Sequence, residues 1–405
     1  MKKKIILSVV ALLAMAASPV YAQFSLNGEF RPRTEVSHGY KTLATPDQDA
    51  SWYTSQRTRL NALYKSEKVI TMMSLQDVRI WGSQAQLTTN EDYATSIHQA
   101  WAEMLLTPTL SVKAGRQEVV YDDQRIFGNV GWAQQARSHD MLILKYQKDI
   151  NLHFGFAHHE NSNPANNLYD GADAYKNLQF LWFNKTWDKA SLSLLALNNG
   201  LAVTTGDKQE VRYNQTLGGH ASFAIGAVNF AGNAYLQTGK TAANAELSAY
   251  NLLLEASVKQ GFTLGFERLS GNAYDDTKAK SFTPLYGTNH KFNGYMDYFY
   301  VGNHLNSVGL DDFYLKYGYK KDKLGIDAHI HYFAAAADIS ANARRSLGTE
   351  IDLQAAYTIS DEASISCGYS MLFGTDSMEL LKDGDKSTSN YWGYIMLTVT
   401  PNFLK

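Results

Sequence analysis

The chain has 405 residues, 12% of them aromatic, with 25 Tyr, 29 Gly, only 7 Pro and one cysteine. A single cysteine, Cys367, excludes an internal disulfide, and its alternating neighbours give it an ordinary apolar position. Taking Lys2, Lys3 and Lys4 from the 37 basic residues leaves 34 against 39 acidic ones, which excludes the basic surplus that a nucleic-acid binder needs.

Those three lysines open the first predicted element. An apolar run over 5–17 follows them, and then the small-residue site Val20-Tyr21-Ala22, which together read as a cleavable export signal. The run is too short for a spanning helix. The expectation is a signal peptide over 1–22 and one mature unit over 23–405, beginning at Gln23. No Pro-rich or Ser-rich linker and no second long apolar run interrupts that unit.

Along it, short connections fall at 65–68, 107–109, 148–150, 187–189, 226–228, 259–261, 320–323 and 359–363. They take turns with longer polar stretches near 34–51, 82–95, 119–138 (loop 3), 159–176, 199–213, 239–247, 271–310 (loop 7), 334–345 and 374–389. Eight short turns and nine long loops separate eighteen strands. The predicted fold is all-β: one 18-stranded antiparallel transmembrane β-barrel, with short periplasmic turns and long extracellular loops. An even strand number puts both ends on the periplasmic side, as in the outer membrane of a Gram-negative bacterium. A two-sheet sandwich has no reason to segregate its loop lengths.

The strands alternate. In the second, Leu60, Ala62 and Tyr64 oppose Arg57, Arg59 and Asn61. Over 325–333, Ile326, Ala328, Ile330 and Tyr332 oppose Asp327, His329 and His331. Over 347–357, Leu347, Thr349, Ile351, Leu353, Ala355 and Tyr357 oppose Gly348, Glu350, Asp352 and Gln354. Charges at period two belong in the lumen, because an Arg facing mid-membrane lipid costs about 2–4 kcal/mol. Over 140–146 Lys145 is in phase with Met141 and Ile143, which leaves that register open. Over 391–403, Tyr391, Gly393, Ile395, Leu397 and Val399 alternate towards Phe403, as a closing strand would.

Functional residues concentrate at the fifth strand and loop 3: Gly115-Arg116-Gln117-Glu118, Tyr121-Asp122-Asp123-Gln124-Arg125-Ile126-Phe127-Gly128, Trp132, Arg137, Ser138 and Asp140. A second dense stretch, Phe282-Thr283-Pro284-Leu285-Tyr286-Gly287-Thr288-Asn289, runs on to Asp297 and follows Glu267 and Ser270-Gly271. Together they resemble the alginate-export family of outer-membrane barrels, with its Gly-Arg-Gln strand end, Tyr-x-Asp-x-Arg-x-x-Gly turn and Arg-x-x-Asp approach to the next strand. The resemblance implies an eighteen-stranded monomeric pore, lined by arginines and a few acids, that passes an anionic polysaccharide or a smaller anionic solute.

The residues carry a similar reading by themselves. A barrel of this size leaves an aqueous channel, and fixed charges and inward loops then set its selectivity. Arg57, Arg59, Arg79, Arg116, Arg125 and Arg137 are the candidate solute-contacting cations, since guanidinium forks pair bidentately with carboxylates. Gln117, Glu103, Asp140 and Glu267 would orient them or repel the wrong ligand. The plainer alternative is that these charges neutralise one another and solvate the lumen. Either loop 3 or loop 7 could constrict the pore, or loop 7 could be an outer cap.

Catalysis is not expected. The Gly-x-Ser-x-Gly elbow is absent and no phosphate loop or dinucleotide motif occurs. His329 and His331 share a strand face and could bind a metal, but no third ligand stands near them in sequence, so pore lining is the preferred reading. His158-His159-Glu160 reads as a solvated cluster. The expected protein is a passive outer-membrane channel for anionic saccharides or other small anionic solutes, with membrane lipid as its surroundings and no cofactor. The competing readings are a general porin and an adhesive or surface-structural barrel.

Overall fold

The computed structural model describes residues 23–404, apart from 85, 87–94, 161–174 and 207. The expected signal peptide lies outside the described residues, as do most of the stretches 82–95 and 159–176.

Eighteen antiparallel strands form a closed barrel. They are β1 (Gln23–His38), β2 (Ser51–Lys65), β3 (Val69–Ile80), β4 (Thr95–Leu105), β5 (Leu110–Gln117), β6 (His139–Gln147), β7 (Asn151–His158), β8 (Asn177–Trp187) and β9 (Ala190–Thr205). They continue as β10 (Lys208–Ile225), β11 (Val228–Lys240), β12 (Glu246–Val258), β13 (Phe262–Leu269), β14 (Leu310–Lys321), β15 (Leu324–Ala334), β16 (Ser346–Ser360), β17 (Ala363–Gly374) and β18 (Asn390–Val399). Pro401 interrupts β18, which resumes as Asn402–Leu404. Each strand pairs with its sequence neighbour. β1 closes the ring against β18, with Phe30 opposite Val399 and His38 opposite Tyr391. Closure removes every free edge, the condition for placing backbone amides in lipid.

Alternation sets the two faces. Leu60, Leu142, Phe154, Leu194, Leu252 and Ile330 are among the outward side chains, each exposed. Aromatic side chains gather at both rims of this apolar band. Phe24, Tyr64, Trp187, Phe262, Tyr357 and Phe403 stand near the short turns, and Trp52, Tyr213, Tyr250, Tyr332, Tyr369 and Phe373 near the long loops. Amphipathic rings at both interfaces mark a barrel that sits in a bilayer. The molecule is an outer-membrane β-barrel.

Two local expectations need correction. The stretch 199–213, read as a long loop, is mostly strand: β9 and β10 stay paired from Gly200 opposite Tyr213 to Thr205 opposite Lys208. Among the described residues, β8 leaves β9 at Gly200 and β11 leaves β10 at Asn214, so this hairpin extends beyond the wall. Its polar residues are those of a ribbon solvated on both faces, which composition alone does not distinguish from a loop. The second correction concerns Leu347, which was placed with the lipid-facing residues of β16. The register shifts between Phe333 and Ala334, whose partners are Gly348 and Ser346, and Leu347 turns inward, fully buried. A bulge of this kind re-aims one side chain without disturbing the rest of the strand.

The lumen is not an open tube. Both long candidate loops fold into it, and a cluster of buried apolar side chains lies inside the wall. Val119, Ile126 and Phe127 of loop 3 pack there with Met141, Ile143, Leu178, Phe180, Leu195 and Leu197, the inner faces of β6, β8 and β9. Phe127 is the hub, 5.0 Å from the Phe180 ring and 5.8 Å from that of Tyr286. Gly155 makes room for this contact, because a Cβ there would lie 2.0 Å from the Phe180 ring.

Candidate pore constriction

Loop 3 leaves the wall after Gln117, which is fully buried and whose side-chain amide donates to Met141 O at 3.0 Å. It crosses to β1 and β2, where inward arginines hold its backbone. The Arg31 guanidinium donates to Gly131 O (2.9 Å), Trp132 O (3.2 Å) and the Gln134 side chain (3.1 Å). Arg33 donates to Trp132 O at 2.8 Å, and its guanidinium carbon lies 4.0 Å from the centre of the Trp132 ring. Trp132 also stacks with His290 of loop 7, ring centres 4.7 Å apart. Arg57 donates to Ala133 O and Gln134 O, both at 3.3 Å, and pairs with Glu29 at 2.6 Å.

Loop 7 crosses the lumen in the other direction and is zipped to loop 3. Phe127 and Tyr286 form a parallel bridge, Thr288 N donates to Gln124 O at 2.9 Å, and Arg137 donates to Gly287 O at 3.0 Å. Gly287 is required here, since a Cβ would meet Arg125 O at 2.3 Å. Further on, Met296 N donates to Glu350 at 2.9 Å, and the Tyr40 hydroxyl donates to Asp297. Both loops therefore narrow the pore.

At their junction Arg125 and Glu267 pair at 2.7 Å, each side chain 1% exposed. Asn293 bridges them, accepting from Arg125 at 3.0 Å and donating to Glu267 at 2.9 Å and Asp312 at 3.2 Å. Asn251 donates a further bond to Glu267 at 2.7 Å. This network is a structural clasp between loop 3, loop 7 and β13, and both charges in it are already used.

The ten expected site residues thus separate into groups. Arg57, Gln117, Arg125 and Arg137 anchor loop 3, with Glu267 as the partner of Arg125. Arg59 faces the lumen, donates to Gln76 at 2.7 Å, and keeps Nη2 buried without a hydrogen-bond partner. Glu103 faces the lumen too, bound by Lys145 at 3.1 Å and Ser111 at 2.6 Å. The remaining three were placed on the pore face by expectation, yet they carry the strand phase of the lipid-facing residues and stand at the rim, where they border the mouth of the vestibule. Arg116 and Asp140 pair with each other at 2.9 Å, 43% and 57% exposed, in phase with lipid-facing Leu142. Arg79 shares the phase of exposed Leu75 and clasps Asp77 at 2.6 Å. The rim position of these residues, beside the long loops, is what makes outward charge tolerable, because the cost falls towards zero near the interface.

Arg31 and Arg33 were missed, although Glu29, Arg31, Arg33 and Glu35 alternate with Phe30, Pro32 and Thr34. Carrying the strand phase into β1 would have found them. With them, a segregation of charge emerges. The inward cations Arg31, Arg33, Arg57, Arg59, Lys113 and Lys145 belong to β1–β6, where Glu29, Glu35 and Glu103 interleave. The inward acids Glu255, Glu267, Asp312, Asp327, Glu350 and Asp352 belong to β12–β16, where Lys316 and, by phase, Lys320 at the short-turn end of β14 are the inward Lys or Arg residues among those described. In a ring of eighteen these two arcs face each other across the lumen.

On the long-loop side, a cavity of about 480 Å³ opens between Arg33, Glu35, Tyr53, Trp132, His290 and Asp297. A second, of about 750 Å³, lies by Arg137, Ser138, His139, His159 and Tyr175, and both touch Val130, Gln135 and Tyr300. They flank loop 3 as a shared vestibule.

Loop 7 also carries a pH-sensitive group. His304 is buried, with Nε2 donating to Gly309 O at 3.0 Å. Burial, and then the Lys382 ammonium nearby, push its pKa down to about 3 from 6.5. A released loop takes up this proton below pH 6.5, whereas the docked loop does not until about pH 3. Docking should therefore weaken as pH falls through that window, by roughly 2 kcal/mol at pH 5. Hydrogen exchange of loop 7, compared at pH 7 and 5 after correction for intrinsic rates, should show the loss. His304→Gln, which takes up no proton, should flatten it, and an equal pH response in that variant would contradict this origin.

No family model matches the chain, and no curated protein matches it in sequence. Solved structures do match its fold. The Pseudomonas aeruginosa outer membrane protein OpdK superposes with a TM-score of 0.60 at 10% identity, covering 94% of this chain and 99% of that one. OccK9 (OpdG) of the same organism gives 0.62 at 14%, covering 94% and 99%. OccAB4 of Acinetobacter baumannii gives 0.62 at 11%, covering 95% and 100%. OpdK solved with vanillate matches as well, at 0.56 and 11%, covering 93% and 99%. The fold is that of Occ and Opd outer-membrane barrels. These neighbours overturn the alginate-export resemblance: its short motifs are the loop 3 and loop 7 residues that clasp each other, and clasping explains them without a polysaccharide.

Proposed function

We propose that this barrel is a passive, anion-leaning channel for small organic anions. The observation that carries the proposal is the segregation of inward charge, basic on β1–β6 and acidic on β12–β16. A field directed across a narrow, low-dielectric passage draws an anion to one wall and orients it there. The route runs from the vestibule beside Arg33, past the Arg57 anchor, to Arg59 and Lys113. Arg59, whose buried Nη2 has no hydrogen-bond partner and whose Nη1 lies 3.9 Å from Glu118, contributes positive charge to this wall, and a small side-chain shift would turn that donor to one oxygen of a carboxylate. Vanillate, seen with OpdK, is a small aromatic carboxylate, and a solute of that class fits a vestibule lined by Tyr, Trp and Arg. The wall presents apolar side chains on strands all round the ring, which supports a monomer surrounded by lipid.

The test is the reversal potential of the purified barrel in planar bilayers under a salt gradient. The wild type should favour anions, and Arg59→Gln should lower the anion-to-cation permeability ratio severalfold. Cation preference in the wild type, or no ion flux at all, would sink the proposal and favour a surface-structural barrel.

A further inference from the structure

On the acidic wall, His329 and His331 of β15 meet Asp352 of β16. His329 and Asp352 are directly paired across the strands, and His331 sits two residues along on the same face. One ligand atom from each of the three lies within 4.8 Å of the others. Asp352 is the third ligand that sequence spacing could not supply.

Two further observations point to a cation. Both carboxylate oxygens of Asp352 are buried and make no well-formed hydrogen bond, with the Ser370 hydroxyl, the Glu350 carboxyl and the Tyr295 amide beside them, and Oε2 of Glu350 is likewise without one. Buried polar atoms are almost always bonded, so a pocket with several acceptors lacking a well-formed bond is an exception that requires a cause. His331 is also oriented from behind. Its Nδ1 donates to Asp312, 2.9 and 3.0 Å from the two oxygens, which leaves Nε2 as the lone-pair nitrogen, 3.9 Å from Asp352. A carboxylate holding the far nitrogen is the arrangement that fixes and strengthens a metal-ligating imidazole.

We propose that His329, His331 and Asp352 bind one divalent transition cation of the zinc type, with Asp312 orienting His331. Two imidazoles and a carboxylate form a three-ligand set of the kind that leaves a fourth position open. Tetrahedral bonds of about 2.0–2.2 Å bring ligand atoms to roughly 3.4 Å apart, so the three groups close in by about an ångström when the ion enters. The ion cross-links β15 to β16 directly below loop 7, whose Met296 amide is held by Glu350. It also offsets negative charge at the densest part of the acidic wall. The site stands independently of which solute the pore carries.

The test uses the full barrel, folded in detergent micelles and dialysed against a chelator, titrated with Zn²⁺ by indicator competition and with Co²⁺ by visible absorption. One equivalent should bind, and Co²⁺ should give the d–d bands of a low-coordinate nitrogen–oxygen site. His329→Gln and Asp352→Asn should each weaken binding by at least about tenfold. His329 is only half-buried, so its replacement leaves the packing in place, and heat-modifiable gel mobility reports that each variant is folded. His158→Ala with His159→Ala should leave binding intact. The proposal is overturned if the folded wild type binds no stoichiometric ion, if His329→Gln binds as tightly as wild type, or if the His158/His159 variant abolishes binding.

Discussion

Arg125→Ala should release loop 3 and loop 7 together while leaving the barrel wall folded. The substitution strands Glu267, whose side chain is 1% exposed, among Asn251, Asn293 and a second carboxylate, Asp312. Breaking a buried ion pair from one side costs about 3–5 kcal/mol, because the remaining charge has neither water nor a counter-ion. The wall is spared because its strands are held by their own backbone ladders, none of which passes through Arg125. Hydrogen exchange should therefore rise in 119–138 and 271–310 and stay low in β1–β18. The double variant Arg125→Ala/Glu267→Ala should regain part of the lost protection, since no orphan charge is left. If the single variant protects its loops as well as wild type does, the clasp is not what holds them.

Excising 121–136 and bridging the ends with a short Gly-Ser link should raise single-channel conductance severalfold. Loop 3 carries Phe127, the Trp132 platform and the carbonyls held by Arg31, Arg33 and Arg57, so its removal clears the passage beside the basic wall. It also frees those guanidinium groups, and anion preference should increase along with conductance. The cost appears in stability. Met141, Ile143, Leu178, Phe180, Leu195 and Leu197 lose their cover, at about 1.5–3 kcal/mol for each large side chain returned fully to water. Heat-modifiable mobility should accordingly shift to lower temperature. Unchanged conductance would place the constriction in loop 7 alone.

That inner apolar face explains where the sequence was hard to read. In β2 and β15 one face meets lipid and the other meets polar groups, and the phase is plain. In β6 the residues Met141 and Ile143 face inward onto loop 3, while Leu142 and Leu144 face lipid. A strand covered on both sides loses its period, which is why the register over 140–146 stayed open. The misplacement of Arg79, Arg116 and Asp140 has a related origin. Near a rim the rule that charges face the lumen loses its energetic basis, so phase has to be carried from mid-strand, and in β5 that assigns Lys113 rather than Arg116 to the pore.

The sequence by itself determined the wall: strand number, alternating loop lengths, the lipid-facing residues and the inward charges of β2, β15 and most of β16. These are local properties, set by a period of two and by turn composition, and they need no partner to be read. Only the tertiary structure decided what lies within the wall. The Arg125–Glu267 pair joins residues 142 positions apart, and Arg31 reaches a loop 100 positions away. Asp352 becomes a neighbour of His329 only through the β15–β16 register. Contacts of this kind depend on how loops of twenty to forty residues cross a lumen, and no periodicity along the chain encodes that path.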